Sequence, residues 1–281
     1  MFTLSQCATL ACLWEVTAPK PGNIHRGADF ENLTFQDFVT SAVVIGPIIE
    51  AAESGNSVGQ TILDAVQATR AAVQTNTNLG TILLLAPLAK VPLEQRLEVG
   101  VAQVLRELSP ADARLIYEAI RTAQAGGLGH AEKHDLQGKP PENILDAMGL
   151  AAPHDLVAQQ YVSNFDTVLN VVAPELRVGI SHGWPMSDAI IYTQMKLLDR
   201  FPDSLIARKC GPDIAQQASD WAGSVLAAGV PGDEDYENGL ASLDFWLRSD
   251  GHRRNPGTTA DLIAAGLFVL LRNGELGGRT V

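Results

Sequence analysis

The chain contains few cysteines and no long apolar run. Its 281 residues include three cysteines, Cys7, Cys12 and Cys210, with no Cys-x-x-Cys pair. A disulfide framework or a thiolate metal site is therefore not expected. No apolar stretch reaches the roughly 20 residues that a membrane span requires, and the chain does not open with a basic segment followed by an apolar one. These features predict a cytoplasmic protein with free thiols and no membrane partner.

Basic residues are also scarce, since 20 Lys and Arg stand against 32 Asp and Glu for a formal net charge of −12. A nucleic-acid partner requires a cationic surface, so this balance argues against one. An anionic small molecule would need local cationic groups to overcome the overall field. Three such groups occur: Lys20/His25/Arg26, Arg208/Lys209 and His252/Arg253/Arg254.

Strand-forming patterns are nearly missing, because β-branched residues rarely alternate and no Asn-Gly or Asp-Gly turn lies between alternating segments. Helical periodicity dominates instead. Cys7, Leu10, Ala11 and Trp14, for example, fall on one helix face. The composition is 46% hydrophobic, and no segment resembles a linker or a repeat. We therefore predict one all-α domain over residues 1–281 with ten or more helices.

Capping patterns and prolines set several helix limits. Thr34 with Asp37 predicts a capping box, and Ser109-Pro110 with Asp112 predicts another helix start. Pro19 should end the first helix, and Pro47 should kink or end the second. Further helices are expected around residues 141–151, 154–172, 186–200, 212–228, 234–249 and 259–272.

Three polar turns rich in Pro, Gly, Asn and hydroxyls adjoin apolar helical segments: residues 19–26, 76–80 and 255–261. The last two turns each precede an apolar run. The backbone N–H groups at such a helix start, together with the helix dipole, favour an anion. The three turns together predict a site for a phosphorylated ligand, assembled between helices.

The first turn combines five candidate residues. Lys20 and Arg26 suit phosphate oxygens, and Gly22 permits a close approach of a ligand. Asn23 supplies an amide, and His25 supplies a titratable group. A rigid helix connector with solvated cations remains the alternative interpretation.

The other two turns allow a purely structural interpretation as well. Asn76 and Asn78 could bind a ribose hydroxyl or a base edge, or simply cap the following helix. In the last turn, Asn255, Thr258, Thr259 and Asp261 could contact the ligand. Thr258 and Asp261 also have the spacing of a capping box.

Two further segments carry titratable groups. Residues 126–135 are glycine-rich and contain His130, His134 and Asp135, which permits a metal site but matches neither a zincin motif nor a P-loop. In residues 203–211, Asp203 precedes Arg208 and Lys209, which could bind phosphate. A solvated salt-bridge face is the alternative there.

Taken in order, these segments resemble the triphosphoribosyl-dephospho-CoA synthase family. Its members carry an early Pro-Lys-Pro-Gly turn, an Asn-Thr-x-x-Gly turn, an Asp-x-x-Leu-x-x-Arg-x-Gly segment and a late Pro-Gly-x-x-Ala-Asp-Leu. The similar segments here are 19–22, 76–80, 203–211 (with Ile206 at the Leu position) and 256–262. The chain departs from the family at Asn78-Leu79, where His-Lys is usual, and at residues 27–30.

The resemblance implies an all-α fold and a reaction in which ATP and 3′-dephospho-CoA give 2′-(5″-triphosphoribosyl)-3′-dephospho-CoA and adenine. Such a reaction needs a carboxylate near the ribose C1, a base for the attacking hydroxyl, and Mg²⁺ with cations for the triphosphate. We expect phosphate contacts from Lys20, Arg26 and Arg208. Metal binding and base work would be shared by Asp135, Asp203 and Asp261, with an acid at His25 or His134. Orienting amides are expected at Asn23, Asn76 and Asn78, and further ligand contacts at Gly22, Lys209, Asn255, Thr258 and Thr259.

Two other functions fit the same residues. A metal-dependent helical phosphohydrolase would use His130, His134, Asp135 and Asp155. A helical protein that binds a nucleotide without catalysis is the third interpretation. The sequence leaves the acceptor alcohol and a homodimer open.

Overall fold

The computed structural model describes residues 2–53, 55–124 and 138–276. Within these ranges the fold is all α, as predicted, with no strand beyond two isolated bridges, His25 with Ala28 and Phe30 with Leu33. A π-helical segment, Val168–Val172, leads directly into α9. The α-helices are α1 (Leu4–Thr17), α2 (Phe35–Glu50), α3 (Val58–Val73), α4 (Leu79–Lys90), α5 (Leu97–Arg106), α6 (Pro110–Ala123), α7 (Ile144–Ala151), α8 (Leu156–Val162), α9 (Ala173–Ser181), α10 (Met186–Arg200), α11 (Ser204–Cys210), α12 (Pro212–Ala228), α13 (Glu234–Arg248) and α14 (Gly257–Arg272).

Both predicted helix starts are present. Thr34 and Asp37 form a capping box at α2, in which Asp37 Oδ2 accepts from the Thr34 N–H at 2.8 Å. Ser109 and Asp112 form the box of α6, with Pro110 as its first helical residue. These caps satisfy N–H groups that have no partner inside the helix, which is why they mark helix starts in a sequence.

Two local predictions are wrong. The helix expected over 154–172 breaks after α8, where Asn164 and Phe165 have positive φ values of 55° and 64°. Thr258 and Asp261 do not form a capping box, because Pro256 is the N-cap of α14 and Asp261 instead accepts a hydrogen bond from Thr81. Pro47, which was expected to kink or end α2, lies inside this helix, which continues to Glu50.

Helix α14 lies at the centre of the fold. Its segment Leu262–Leu271 is buried throughout and packs against α1, α4, α9 and α10. Arg272 at its end donates to the carbonyl oxygens of Val91 and Pro92 at 2.9 and 2.7 Å. Burial on every side matches the apolar run in the sequence. It also fixes the position of the α14 N-terminus, where one of the polar turns lies.

A second, smaller apolar cluster lies among α10, α11, α12 and α13 and includes Met195, Ile206, Ala222 and Leu243. It packs α11 beside the N-terminal end of α14, so that two polar turns meet. Among the described residues, no helix combines the length and the apolar character needed to cross a membrane.

Candidate active site

A cavity of about 650 Å³ opens between α1, α4, α6, α7, α8, α11 and the start of α14. This volume is in the ordinary range of roughly 300–1,000 Å³ for small-molecule sites. One part of its lining is apolar and includes Tyr117, Ile120 and Met148. The remainder consists mainly of polar side chains from the connections between helices, so the cavity offers both an apolar wall and a set of hydrogen-bonding groups.

The turn before α4 contributes Asn76, Asn78 and Gly80 to the lining. Asn76 Oδ1 accepts from the backbone N–H of Leu79 at 3.1 Å and so caps the helix. Asn78 is 8% exposed, and neither its Oδ1 nor its Nδ2 has a hydrogen-bond partner within the described ranges. Both amides line the cavity, but only that of Asn76 also caps the helix.

Asp261, in the first turns of α14, is the carboxylate on the lining with the most strongly shifted pKa. Burial raises its pKa to about 7, and the negative charges of Glu15 and Asp203 add to the rise. The Thr81 hydroxyl donates to Asp261 Oδ1 at 2.7 Å and opposes that rise. At neutral pH this group is therefore divided between its acid and base forms, as proton transfer requires.

Gly80 allows α4 to pack closely against α14 at Asp261. A Cβ atom built at Gly80 would lie 2.1 Å from Asp261 Oδ2, far inside contact distance. Any larger residue would displace the carboxylate or separate the helices. The glycine of the Asn-Thr-x-x-Gly turn is thus explained by its packing against Asp261.

Asp203 does not line the cavity, and its side chain is fully buried. Its Oδ1 accepts from the N–H groups of Leu205 and Ile206 at 2.8 and 3.0 Å and caps α11. Its Oδ2 accepts from the N–H and hydroxyl of Thr259 at 2.7 and 2.8 Å. Burial raises the pKa of Asp203 while these hydrogen bonds act against the rise. Both oxygens are engaged in joining α11 to α14.

Cationic groups line the cavity beside this junction. Arg208 pairs with one carboxylate oxygen of Asp155, whose other oxygen caps α8. The Nε of Arg208 has no partner among the residues described. Lys209 also contributes to the lining, and burial lowers its pKa. Arg70, near the end of α3, is a third cation on the lining.

The first turn is built differently. Lys20 is fully buried, and its Nζ pairs with Glu15 Oε1 at 2.8 Å and also donates to the carbonyl of Glu15. The Gly22 N–H donates to Asp244 Oδ1 at 2.7 Å. Asn23 faces the cavity, while its Nδ2 donates to Asn255 Oδ1 at 2.6 Å and ties this turn to the last one.

His25 and Arg26 follow Asn23 but do not line the cavity. Burial and the nearby Arg248 lower the pKa of the half-buried His25, which favours its neutral form. Arg26 is exposed.

The predicted residues divide into three sets. The cavity is lined by Asn23, Asn76, Asn78, Arg208, Lys209, Asn255, Thr258 and Asp261. Lys20, Gly22, His25, Arg26, Asp203 and Thr259 lie off the lining. His130, His134 and Asp135 fall outside the described residues, which leaves Asp155 as the one described member of the phosphohydrolase set.

Sequence reasoning missed Glu15, Arg70 and the apolar wall. Glu15 was detectable, since it is the only charged residue in α1, and a single carboxylate on an apolar helix needs a partner or a function. Arg70 and the wall residues lie on ordinary amphipathic helices. Nothing local distinguishes them from surface or core positions.

Comparison with known proteins gives a consistent result. A family model described as ATP:dephospho-CoA triphosphoribosyl transferase matches residues 1–280. Among solved structures, a protein of Archaeoglobus fulgidus described as a triphosphoribosyl-dephospho-CoA synthase is similar, with a TM-score of 0.63 and 28% identity, over 83% of this chain and 98% of that one. No curated protein matches the chain.

Proposed function

The chain belongs to the ATP:dephospho-CoA triphosphoribosyl transferase family, and from that premise we propose how its cavity carries out the transfer. The cavity binds ATP and passes the triphosphoribosyl group to a hydroxyl of an acceptor such as dephospho-CoA. The hydroxyl oxygen forms a bond to the ribose C1, the bond from C1 to adenine breaks, and adenine leaves. The convergence of Asp261, Arg208 and Lys209 on one cavity carries this proposal.

The triphosphate lies against the cationic side of the cavity. Arg208 offers a guanidinium fork that suits phosphate oxygens, and Lys209 adds a second charge. Gly257 and Thr258, at the start of α14, also line this cavity. Their helix end adds partial positive charge from its N–H groups. Together these groups offset the chain's net charge of −12 at the point where an anion must bind.

Asp261 accepts the proton of the attacking hydroxyl. Its pKa of about 7 makes it a stronger base than an ordinary carboxylate, yet it stays ionised in a useful fraction of molecules at neutral pH. Its negative form also stabilises positive charge on the ribose as adenine departs. Thr81 holds the carboxylate in place through its hydroxyl.

A Mg²⁺ ion fits this site if it enters with the triphosphate. Among the residues described, no group of three or more His, Cys, Asp or Glu side chains could hold a metal by itself. Mg²⁺ bound to nucleotides commonly needs only one or two protein carboxylates, with phosphates and water supplying the rest. Glu15 would be such a ligand because it lines the cavity, and the ion would neutralise phosphate charge.

Lys20 and Asp203 are proposed as positioning residues. Lys20 holds the carboxylate of Glu15, and Asp203 fixes the start of α14, on which Asp261 lies. Neither needs to touch the substrate for its loss to disturb the reaction.

The direct test incubates the full chain with ATP, Mg²⁺ and dephospho-CoA, and follows free adenine by chromatography and the acceptor by mass spectrometry. Adenine should appear together with an acceptor heavier by one triphosphoribosyl group. Asp261→Asn should lower the rate by about 10²–10⁴-fold. Asn170→Ala, at an exposed site away from the cavity, should leave it unchanged. Formation of ADP or phosphate without adenine would refute the proposal.

Two further expectations stay predictions: a cytoplasmic location, consistent with three free cysteines, and a homodimer. Light scattering on the purified chain would give the mass that tests the second.

A further inference from the structure

Asn78 is a buried polar side chain on the cavity lining whose amide has no hydrogen-bond partner among the described residues. Its residue is 8% exposed, and both Oδ1 and Nδ2 are shielded and lack a partner within the described part of the chain. Buried polar side chains nearly always have at least one hydrogen bond, so each exception calls for an explanation. Here the amide lines a cavity, which points to a ligand as its partner.

The helix does not use this amide. Asn78 is the N-cap residue of α4 but makes no side-chain capping bond. Asn76 Oδ1 accepts from the Leu79 N–H instead, at 3.1 Å. The capping function that would ordinarily explain an asparagine at position 78 is thus performed by its neighbour Asn76.

An asparagine amide presents one donor and one acceptor side by side in a plane. The N7 and N6 edge of adenine presents one acceptor and one donor with matching spacing. Guanine presents acceptors at both N7 and O6, so one of its two contacts with the amide would be repulsive. The apolar lining around Ile120 and Met148 suits the faces of a flat base.

We propose that Asn78 recognises the adenine of ATP, with Nδ2 donating to N7 and Oδ1 accepting from the N6 amino group. This inference rests on the proposed function, in which ATP enters this cavity. In this assignment Asn78 selects the base, and the cationic side chains bind the triphosphate.

The same contact assists departure of adenine. When the C1–N9 bond breaks, its electron pair passes to the adenine ring and is shared with N7. The N–H of Asn78 stabilises the charge that develops there. The proton that the acceptor hydroxyl loses to Asp261 balances the proton that adenine gains, so no other reactant is needed.

The test measures dissociation constants of ATP, 7-deaza-ATP and GTP by calorimetry, without acceptor. The proteins are the full wild-type chain and the variants Asn78→Leu, Asn78→Ala and Asn170→Ala. Leucine keeps the branched shape without polar atoms, and alanine removes the side chain, so either variant can carry the result if the other does not fold. Asn170 is an exposed asparagine away from the cavity and serves as the matched control.

The wild-type chain and Asn170→Ala should bind ATP about 5- to 150-fold more tightly than GTP. They should also prefer ATP to 7-deaza-ATP, which lacks the N7 acceptor. In both Asn78 variants the three constants should converge to within about threefold. If these variants weaken all three nucleotides alike, as an amide on the ribose would predict, the inference is refuted.

The adenine-release assay separates this inference from the proposed function. A wild-type chain that releases no adenine from ATP and dephospho-CoA refutes the proposed function. A wild-type chain that releases adenine, while Asn78→Ala keeps the preference for ATP over GTP, refutes only the assignment of Asn78.

Discussion

The pKa of Asp261 should move in opposite directions when two different neighbours are changed. Thr81 donates a hydrogen bond to its carboxylate, and Glu15 contributes a negative charge. Thr81→Val removes a group that stabilises the ionised form, so the pKa of Asp261 should rise. Glu15→Gln removes a group that destabilises the ionised form, so the pKa should fall.

The magnitude follows from the hydrogen bond. A hydrogen bond to a charged group contributes about 1.5–3 kcal/mol, which corresponds to about one to two pKa units. From a starting pKa of about 7, Thr81→Val should therefore shift the midpoint upward by at least about one unit. Since the base must be ionised, kcat/KM should rise with pH through this midpoint.

The assay is the pH profile of kcat/KM for ATP at saturating Mg²⁺. Titration of the nucleotide itself is common to all variants, so the shift between variants is the informative quantity. Thr193→Val is the matched control, because it also removes a buried threonine hydroxyl, one that bonds within α10 rather than facing Asp261. Midpoints that stay fixed, or that move in the same direction in both variants, would refute Asp261 as the base.

Three other results are expected. The fold raises the pKa of Asp261 from 3.8 in the unfolded chain to about 7, so its ionisation reduces the stability of the fold as pH rises from about 4 to 7. Urea titrations should therefore find Asp261→Asn more stable than wild type by up to about 4 kcal/mol at pH 8, with little difference at pH 4. Gly80→Ala should lower turnover by about 10²-fold by displacing Asp261. Gly149→Ala should not lower turnover, because a Cβ atom built at Gly149 would have its nearest neighbour 4.0 Å away. Equal turnover in the two variants would contradict the packing argument. Lys20→Met should lower the free energy of unfolding by about 3–5 kcal/mol by leaving Glu15 unpaired. Arg208→Gln should instead mainly raise the KM for ATP. A rise in KM with Lys20→Met at unchanged stability would contradict this assignment of a structural role to Lys20 and a binding role to Arg208.

The all-α fold and several helix starts were predictable because their causes are local. A capping box joins residues three apart, as Thr34 and Asp37 do, and an apolar run such as Leu262–Leu271 must be buried wherever it packs. The break after α8 was not predictable in this way. The left-handed backbone at Asn164 and Phe165 places Phe165 in the core, and nothing in the neighbouring residue types requires that conformation.

The three polar turns were also recognisable from the sequence, but the functions of their side chains were not. Asp203 and Asp261 both lie near helix starts, with Ser204 beside one and Thr258 and Thr259 before the other. In the fold, Asp203 has both oxygens engaged by backbone and hydroxyl groups, while Asp261 faces the cavity. The difference depends on residues up to 180 positions away in the chain, such as Thr81.

The cationic side chains also differ in function in a way that the sequence alone does not show. The sequence by itself determined the helices and concentrated charge, amides and glycines in the turns between them. Only the tertiary structure decided that Lys20 is held by Glu15 in the interior while Arg208 and Lys209 reach the cavity. The physical reason is that a charge acts through the groups packed around it, and those groups come together only when distant helices meet.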